Sequence, residues 1–490
     1  MLIPKEVKTI VKKLEKAGFE AYIVGGCSRD FLQGIEPNDW DIATSAKPEE
    51  IQKIFPDNFY ENRFLTVTVQ TKSKNPRLKE IEVTTFRSEA KYTDKRHPDE
   101  IRFAKTLKED LSRRDFAINA IAIKVKSLKS KVENYEIIDP FDGQADLKSK
   151  TIRAVGNPDD RFGEDALRLM RAARLATVLG FTIEEKTKKA INKNAPLLKL
   201  ISVERIRDEF VKIVLSEKAA QGLELLRELG LLKYVVPELE EGYKVSQNKH
   251  HIYDCYEHNI LSLKYAAKKK FNLEVRLASL LHDIAKPRVK RGEGLNATFY
   301  GHEIVGAKMT AKILERLRFP KVQAEKITRL VKYHLFYYNV GEVGENSIRR
   351  LVRNVGPENV EELLQVRMSD RIGSGVPKAE PYKLRHLKYL VEKVSHDPLS
   401  AKMLKINGND VMEILKAKPG PKVGFILEAL LSEVLEDPKK NRKEYLEKGI
   451  KRLGQLSDSE LSKLFKEARK EREVIEQKKD AMTKERYWVT

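Results

Sequence analysis

Near residue 145 the hydrophobic pattern of the chain changes period, and that change limits the architecture more than any other feature. Before it, short apolar runs at strand spacing alternate with helical ones; from Asp160 onward nearly every segment carries apolar residues at helical spacing. The pattern predicts a mixed α/β portion followed by an all-helical one. Residues 4–17 place Val7, Ile10, Val11 and Leu14 on one helical face, and Ala17-Gly18 ends the run. Ala21 to Val24 reads as a short buried strand running into Gly25-Gly26. Two further strand-like runs, Phe64 to Gln70 and Glu80 to Phe86, flank the turn-rich stretch Lys72 to Lys79. Pro237, Pro287, Pro320, Pro357 and Pro419-Gly420-Pro421 punctuate the helical part. From about Ser457 a highly charged run reads as a solvated helix closing on Tyr487-Trp488. No internal repeat or low-complexity tract interrupts this order.

Composition narrows the class. The chain has 490 residues, room for roughly three domains. Cys27 and Cys255 are its only cysteines, so no disulfide framework exists and a reducing cytosol suits it. No apolar run approaches the roughly 18 residues of a membrane span, and the start is amphipathic without a signal-peptide core. The expectation is a soluble cytoplasmic protein with no membrane contact and no obligatory protein partner. Lys and Arg number 94 against 73 Asp and Glu, a net charge of +21. Such an excess favours a polyanionic partner, nucleic acid foremost, although heat-stable proteins carry comparable Lys/Glu surfaces.

The most informative stretch is Gly25-Gly26-Cys27-Ser28-Arg29-Asp30, followed by Asp39-Trp40-Asp41. Paired glycines between a strand and a helix let backbone N–H groups approach phosphate oxygens, though a plain turn uses them equally well. Asp39 and Asp41, two apart, leave the same face of a strand. Two hard carboxylates on one face suit a pair of Mg2+ ions that also bind substrate phosphates; an exposed acidic edge would carry the same pair. For a third carboxylate Glu80 and Glu82 compete, and Glu82, flanked by Ile81 and Val83, is the better candidate. Next come Arg113-Arg114-Asp115 and Asn119, where guanidiniums can clamp a triphosphate and Asn119 can bond a ribose hydroxyl; a basic helix start reads the same. In Glu164-Asp165-Ala166-Leu167-Arg168, Asp165 and Arg168 stand three apart, neighbours on one helix face or partners in an ordinary salt bridge.

Taken in order and spacing, Gly25-Gly26…Arg29-Asp30, Asp39…Asp41, Arg114-Asp115…Asn119, Glu164-Asp165…Arg168 and Glu204-Arg205-Ile206-Arg207 resemble the class II, bacterial-type tRNA nucleotidyltransferase/poly(A) polymerase family. The resemblance covers most of the chain and continues through Gly408, Pro419-Gly420-Pro421 and Gly424. Ser28 stands where the family usually has valine, and Ala117 where it usually has threonine. The resemblance implies a polymerase-β-like nucleotidyltransferase head (1–145), a helical neck for base recognition and RNA binding (146–240), an HD domain (241–400) and a helical C-terminal tRNA-binding region (401–490). It further implies addition of C, C and A to the tRNA 3′ end from CTP and ATP, without a nucleic-acid template. Asp39 and Asp41 would hold Mg2+, with Glu82 as third catalytic carboxylate. Gly25, Gly26, Arg29, Arg114, Asp115 and Asn119 would bind the nucleotide, and Asp165 with Arg168 would read its base. Cytosine and adenine both offer an amine donor beside a ring-nitrogen acceptor; uracil and guanine present the opposite polarity. A mismatched edge leaves buried partners unpaired at about 1–3 kcal/mol each. The segment Tyr92 to Pro98 resembles the family's flexible loop associated with A addition, which argues against a CC-only enzyme. An A-adding enzyme and a poly(A) polymerase remain alternatives.

Six of the nine histidines (His250, His251, His258, His282, His302, His334) fall within residues 250–334. His258, His282-Asp283 and Asp370 resemble the HD phosphohydrolase superfamily, with His302 and His334 as further ligands of a binuclear centre. Imidazoles with carboxylates suit Mn, Fe, Ni, Co or Zn. A hydrolase with a degenerate head, or a non-catalytic RNA-binding protein, would leave Asp39, Asp41, Asp165 and Arg168 without a purpose.

Overall fold

The computed structural model describes residues 2–61, 66–90, 100–126, 135–248, 252–376, 378–395 and 404–489. The loop motif Tyr92 to Pro98 and the histidines His250 and His251 lie outside them. In the head, α1 (Lys5–Lys16) buries Val7, Ile10, Val11 and Leu14 and carries Lys13 and Lys16 in its last turn, where cations complement the helix dipole. Then follow β1 (Ala21–Val24), α2 (Gly26–Leu32), β2 (Asp41–Thr44), α3 (Pro48–Ile54), β3 (Asn58–Glu61), β4 (Thr66–Gln70) and β5 (Glu80–Thr85). After these come β6 (Arg87–Ala90), β7 (Glu100–Phe103), α4 (Leu107–Ser112), β8 (Ala122–Val125) and β9 (Tyr135–Ile138). Seven strands form one sheet in the order β3-β4-β5-β2-β1-β8-β9. Every neighbouring pair in it is antiparallel except β2 with β5.

One face of the sheet is sealed. Ile23, Ile42, Val67, Ile81 and Val83 pack against Val7, Ile10, Val11 and Leu14 of α1 and Ile51 of α3. Burying each such side chain is worth about 1.5–3 kcal/mol, so the strand register is strongly specified. A one-residue slip would turn this apolar set outward. Strand β5 alternates accordingly: Ile81 and Val83 are buried, Glu80 and Glu82 point the other way.

The chain passes to helices through α5 (Gly143–Ser149) and the parallel two-stranded pair β10 (Thr151–Ile152) with β11 (Thr182–Ile183), which bracket α6 (Pro158–Glu164) and α7 (Leu167–Leu179). Helices α8 (Glu185–Asn194), α9 (Val203–Leu215), α10 (Ala219–Glu228), α11 (Leu232–Val235) and α12 (Pro237–Glu240) complete the neck. Next stand α13 (Cys255–Lys268), α14 (Leu273–Leu281), α15 (Lys286–Val289), α16 (His302–Arg316) and α17 (Lys321–Tyr333). They are followed by α18 (Glu345–Val355), α19 (Val360–Gly373), α20 (Tyr382–Ser395), α21 (Gly408–Leu415), α22 (Pro421–Glu436), α23 (Lys443–Gly454) and α24 (Asp458–Arg486).

Two compact units result: Met1–His334 with Gln365–Pro377, and Leu335–Leu364 with Lys378–Thr490. The division is coarser than the four segments expected, and part of 241–400 clusters with the C-terminal helices. The second unit has its own core of Val411, Ile426, Leu430, Leu446, Ile450 and Leu461. Its last helix starts at a capping box between Ser457 and Glu460. No helix among the described residues is long and apolar enough to cross a membrane.

Candidate functional site

Strand β1 ends at Gly25, whose φ of +85° falls where L side chains rarely go. A Cβ there would also sit 2.9 Å from Arg114 Nη1 and 3.1 Å from Asp41 Oδ2. Glycine is thus required twice over. Gly26 has no such demand: a Cβ would meet only the Arg29 guanidinium, at 3.6 Å and beyond. The pair is therefore unequal, and Gly25 alone makes the close approach.

Trp40 is buried with the sealed core, so Asp39 and Asp41 on either side of it leave the opposite face. Asp39 stands exposed in the bend before β2, and Asp41 opens the strand. Parallel pairing places Glu82 opposite Asp41. Glu80, the competing carboxylate, pairs with Gln70 across β4 and accepts from its Nε2 at 3.0 Å. Burial, then the charges of Asp39 and Glu82, push the Asp41 carboxyl up to about 7, against the pull of Arg114. Such repulsion among hard oxygen donors is what a bound divalent cation relieves. The donor set fits a divalent metal.

Asp41 and Glu82 edge a cleft of about 380 Å³ that Arg113 and Arg114 also line. Both arginines are held by buried Asp110 on α4: Arg113 Nη2 lies 3.0 Å and Arg114 Nη2 3.6 Å from its carboxylate. Burial raises the Asp110 carboxyl, and the two arginines outweigh burial and hold it below the usual range. Asp110 escaped the sequence reading, although its spacing to Arg113 and Arg114 is that of helical neighbours.

Deeper in, Arg29 donates through Nη1 to Asn119 Oδ1 at 2.8 Å, and Asn119 Nδ2 donates to Asp115 Oδ1 at 3.1 Å. Asp115 Oδ2 accepts from Arg171 Nε at 2.7 Å and Nη2 at 2.6 Å. Both oxygens of Asp115 are thus engaged within the protein.

Asp165 and Arg168 do not share one helix face. Asp165 sits in the break between α6 and α7 with extended backbone, where its Oδ1 accepts from Leu167 N at 3.0 Å. Its Oδ2 accepts from Arg205 Nη2 at 2.8 Å, which joins two motifs that the sequence left apart. Buried Arg168 donates to Glu164 Oε2 at 2.6 Å and to the carbonyl of Arg113 at 3.0 Å. Helix α7 starts afresh after Asp165, so the periodicity argument fails there, and a backbone bond, Arg168 N to the Asp165 carbonyl at 3.0 Å, joins the two residues directly.

The second constellation is buried in the helices. His258 (α13), His282-Asp283 (end of α14) and Asp370 (α19) converge, and Asp283 with His302 (start of α16) and His334 (end of α17) forms a second cluster. Asp283 belongs to both. Its Oδ2 lies 3.0 Å from His258 Nε2 and 3.3 Å from His282 Nε2, its Oδ1 3.2 Å from His302 Nε2 and 3.6 Å from His334 Nε2. The Nδ1 atoms of His282, His302 and His334 meet the carbonyls of Ser279, Phe299 and Val331 at 2.9, 2.8 and 2.6 Å. A carbonyl only accepts, so each Nδ1 carries a proton and each Nε2 faces the cluster. Burial pulls His282 down, but Asp283 and Asp370 outweigh it and lift the imidazole to about 10. Lys286 Nζ lies 2.6 Å from Asp283 Oδ2 and donates to Gln247 Oε1 at 2.7 Å. A pocket of buried carboxylates that holds cationic groups fits divalent ions equally well.

Asp41 and Glu82 on paired strands, with Asp39 in the bend before them, beside an arginine-edged cleft define a metal-dependent nucleotidyltransferase. Residues 21–153 match the poly A polymerase head domain, 180–242 the "Probable RNA and SrmB-binding site of polymerase A" and 255–375 the HD domain. The CCA-adding enzyme of Lactococcus lactis is 48% identical over 240 residues, 48% of this chain and 57% of that relative. That of Ligilactobacillus salivarius is 35% identical over 458 residues, 92% of this chain and 98% of the relative. A crystal structure of the Bacillus stearothermophilus CCA-adding enzyme in complex with CTP is 28% identical, covers 92% of this chain and 98% of that one, and superposes with a TM-score of 0.56. The chain belongs to the CCA-adding enzyme family.

Proposed function

We propose that this chain adds C, C and A to the 3′ end of tRNA from CTP and ATP, using Asp39, Asp41 and Glu82 as the catalytic carboxylates. The observation that carries the reading is the β2–β5 register, which sets Glu82 opposite Asp41 on the open face of the sheet. Mg2+, a hard cation satisfied by one or two carboxylates plus phosphate oxygens, supplies Lewis acidity at Asp39 and Asp41 when bound. Arg114, clamped by Asp110, and Arg29, clamped by Asp30 at 2.7 Å, offset charge on the triphosphate. Asp165 accepts from the base amine, since a carboxylate has about four acceptor sites and Arg205 with Leu167 N leaves capacity. Arg168 donates to the ring nitrogen. Lys and Arg on the helices hold the tRNA through its phosphates and shape.

Each nucleoside triphosphate is offered singly to tRNA lacking three, one or no terminal nucleotides, and added residues are counted. Two C then one A supports the reading. Addition of A alone, or runs of A, makes the chain an A-adding enzyme or a poly(A) polymerase.

A second activity is favoured by Asp283, which serves two ligand clusters at once as a bridge between paired ions would. The site hydrolyses phosphate esters with Mn, Ni, Fe, Co or Zn bound, and 2′,3′-cyclic phosphates are the substrates to try.

A further inference from the structure

Arg171 had no place in the sequence reading, yet it occupies the junction of the candidate active site. On one side its Nε and Nη2 grip Asp115 Oδ2 at 2.7 and 2.6 Å. Asp115 in turn holds Asn119 at 3.1 Å, and Asn119 holds Arg29 at 2.8 Å. On the other side the helix that carries Arg171 begins just after Asp165, and Asp165 is bound to Arg205 at 2.8 Å. Arg168, one helical turn before Arg171 on α7, also acts on Asp115 through its charge. Hydrogen bonds thus join Arg29, Asn119, Asp115 and Arg171, and the backbone of α7 joins Arg171 to Arg168 and to the Asp165–Arg205 pair at its start. The series spans residues 29 to 205, from α2, which follows the strand end beside the carboxylates, to α9, whose Arg205 holds Asp165 in the helix break.

We propose that Arg171 is a positioning residue that fixes the distance between the base-reading pair, Asp165 and Arg168, and the triphosphate-side group Arg29. Asp115 is the intermediate: with both oxygens engaged inside the protein, it transmits position. Two N–H donors of a planar guanidinium converging on one oxygen define orientation as well as distance, which a single ammonium cannot do. Without them Asn119 and Arg29 settle independently of α7. A nucleotide then no longer meets base reader and metal carboxylates in one geometry, so correct and incorrect bases are distinguished less well.

The inference rests on the base-reading role proposed above, and the experiment separates the two. Single-nucleotide addition kinetics are measured for CTP and UTP with wild type, Arg171→Gln, Asp115→Asn, the double variant and Arg168→Ala. In Arg171→Gln the CTP-over-UTP preference is expected to fall about tenfold or more, with kcat for CTP reduced. The double variant is expected to be no worse than the poorer single, as for residues acting in series. Preference within about twofold of wild type in Arg171→Gln, or fully additive losses, overturns the proposal. If Arg171→Gln does not fold by circular dichroism, Arg171→Lys is read instead: reduced preference with charge retained supports positioning, and unchanged preference overturns it. Unchanged preference in Arg168→Ala would instead defeat the base-reading pair. Altered preference there, with none in Arg171→Gln, defeats the relay alone.

Discussion

Asp41 carries the sharpest conflict at the scale of single residues. Burial and the neighbouring charges of Asp39 and Glu82 lift its carboxyl to about 7, against about 3.9 in an unfolded chain. A pKa raised by folding contributes stability that is fully present below about 4 and is lost as pH rises through about 7. Metal-free protein should therefore lose stability between those values, and Asp41→Asn should remove that loss. The variant is expected to melt higher than wild type at pH 8 in EDTA, to match it near pH 4, and to add no nucleotide. Thermal melts across pH, with an addition assay at ordinary Mg2+, check this; normal incorporation would end the assignment of Asp41 as a metal ligand. Charges elsewhere in the site are already compensated, as at Asp110 between Arg113 and Arg114. Metal is needed where no cationic side chain outweighs the anions.

Elements hold these residues through their ends. His282, His302 and His334 stand at helix termini, where each Nδ1 reaches the carbonyl three residues earlier. His258 lies in the first turn of α13, whose cap is Asp254: its carboxylate accepts from Glu257 N at 2.7 Å and from Lys244 N at 2.8 Å. Losing an N-cap costs about 1–2 kcal/mol. Asp254→Ala should lower stability by that amount in urea melts and weaken Mn2+ or Ni2+ binding measured by calorimetry, while nucleotide addition on separate elements persists. The metal-binding defect would be absent if α13 were held by packing alone. How far elements were legible follows from the same physics. Helix α1 and strand β5 have apolar spacing at their own periods and were readable directly. The break at Asp165 was not, because its extended backbone and its Oδ1 bond to Leu167 N turn the chain between two helices, and the sequence there continues the helical period.

For the molecule as a whole, the two proposed sites share the first compact unit. They draw on separate residues, 25–168 for the proposed addition and 258–370 for the proposed hydrolysis. Asp283→Ala should erase phosphate-ester hydrolysis yet spare addition, and Asp41→Ala should do the reverse. Joint loss in Asp283→Ala would mean that the first unit fails as a whole. The net charge of +21 predicts that tRNA affinity falls with salt, log K dropping by about 0.7–0.9 per phosphate contact against log salt. Filter binding at low and moderate salt measures the slope, and a flat response would remove the electrostatic account of binding.

What the sequence alone determined was whatever a local period or a short motif can carry. The switch from mixed to helical structure, the paired aspartates, the arginine run and the histidine set were all readable, since each depends on neighbours along the chain. Tertiary structure decided the rest. Whether Glu80 or Glu82 joins Asp41 depends on a parallel pairing between strands some forty residues apart, and alternation alone puts both glutamates on one face. That Asp115 answers to Arg171, that Asp165 answers to Arg205, and that Asp283 serves two clusters rather than one follow from helices brought together by burial of their apolar faces. Burial is non-directional and acts over the whole fold, so it selects partners across long sequence distances that no spacing rule encodes.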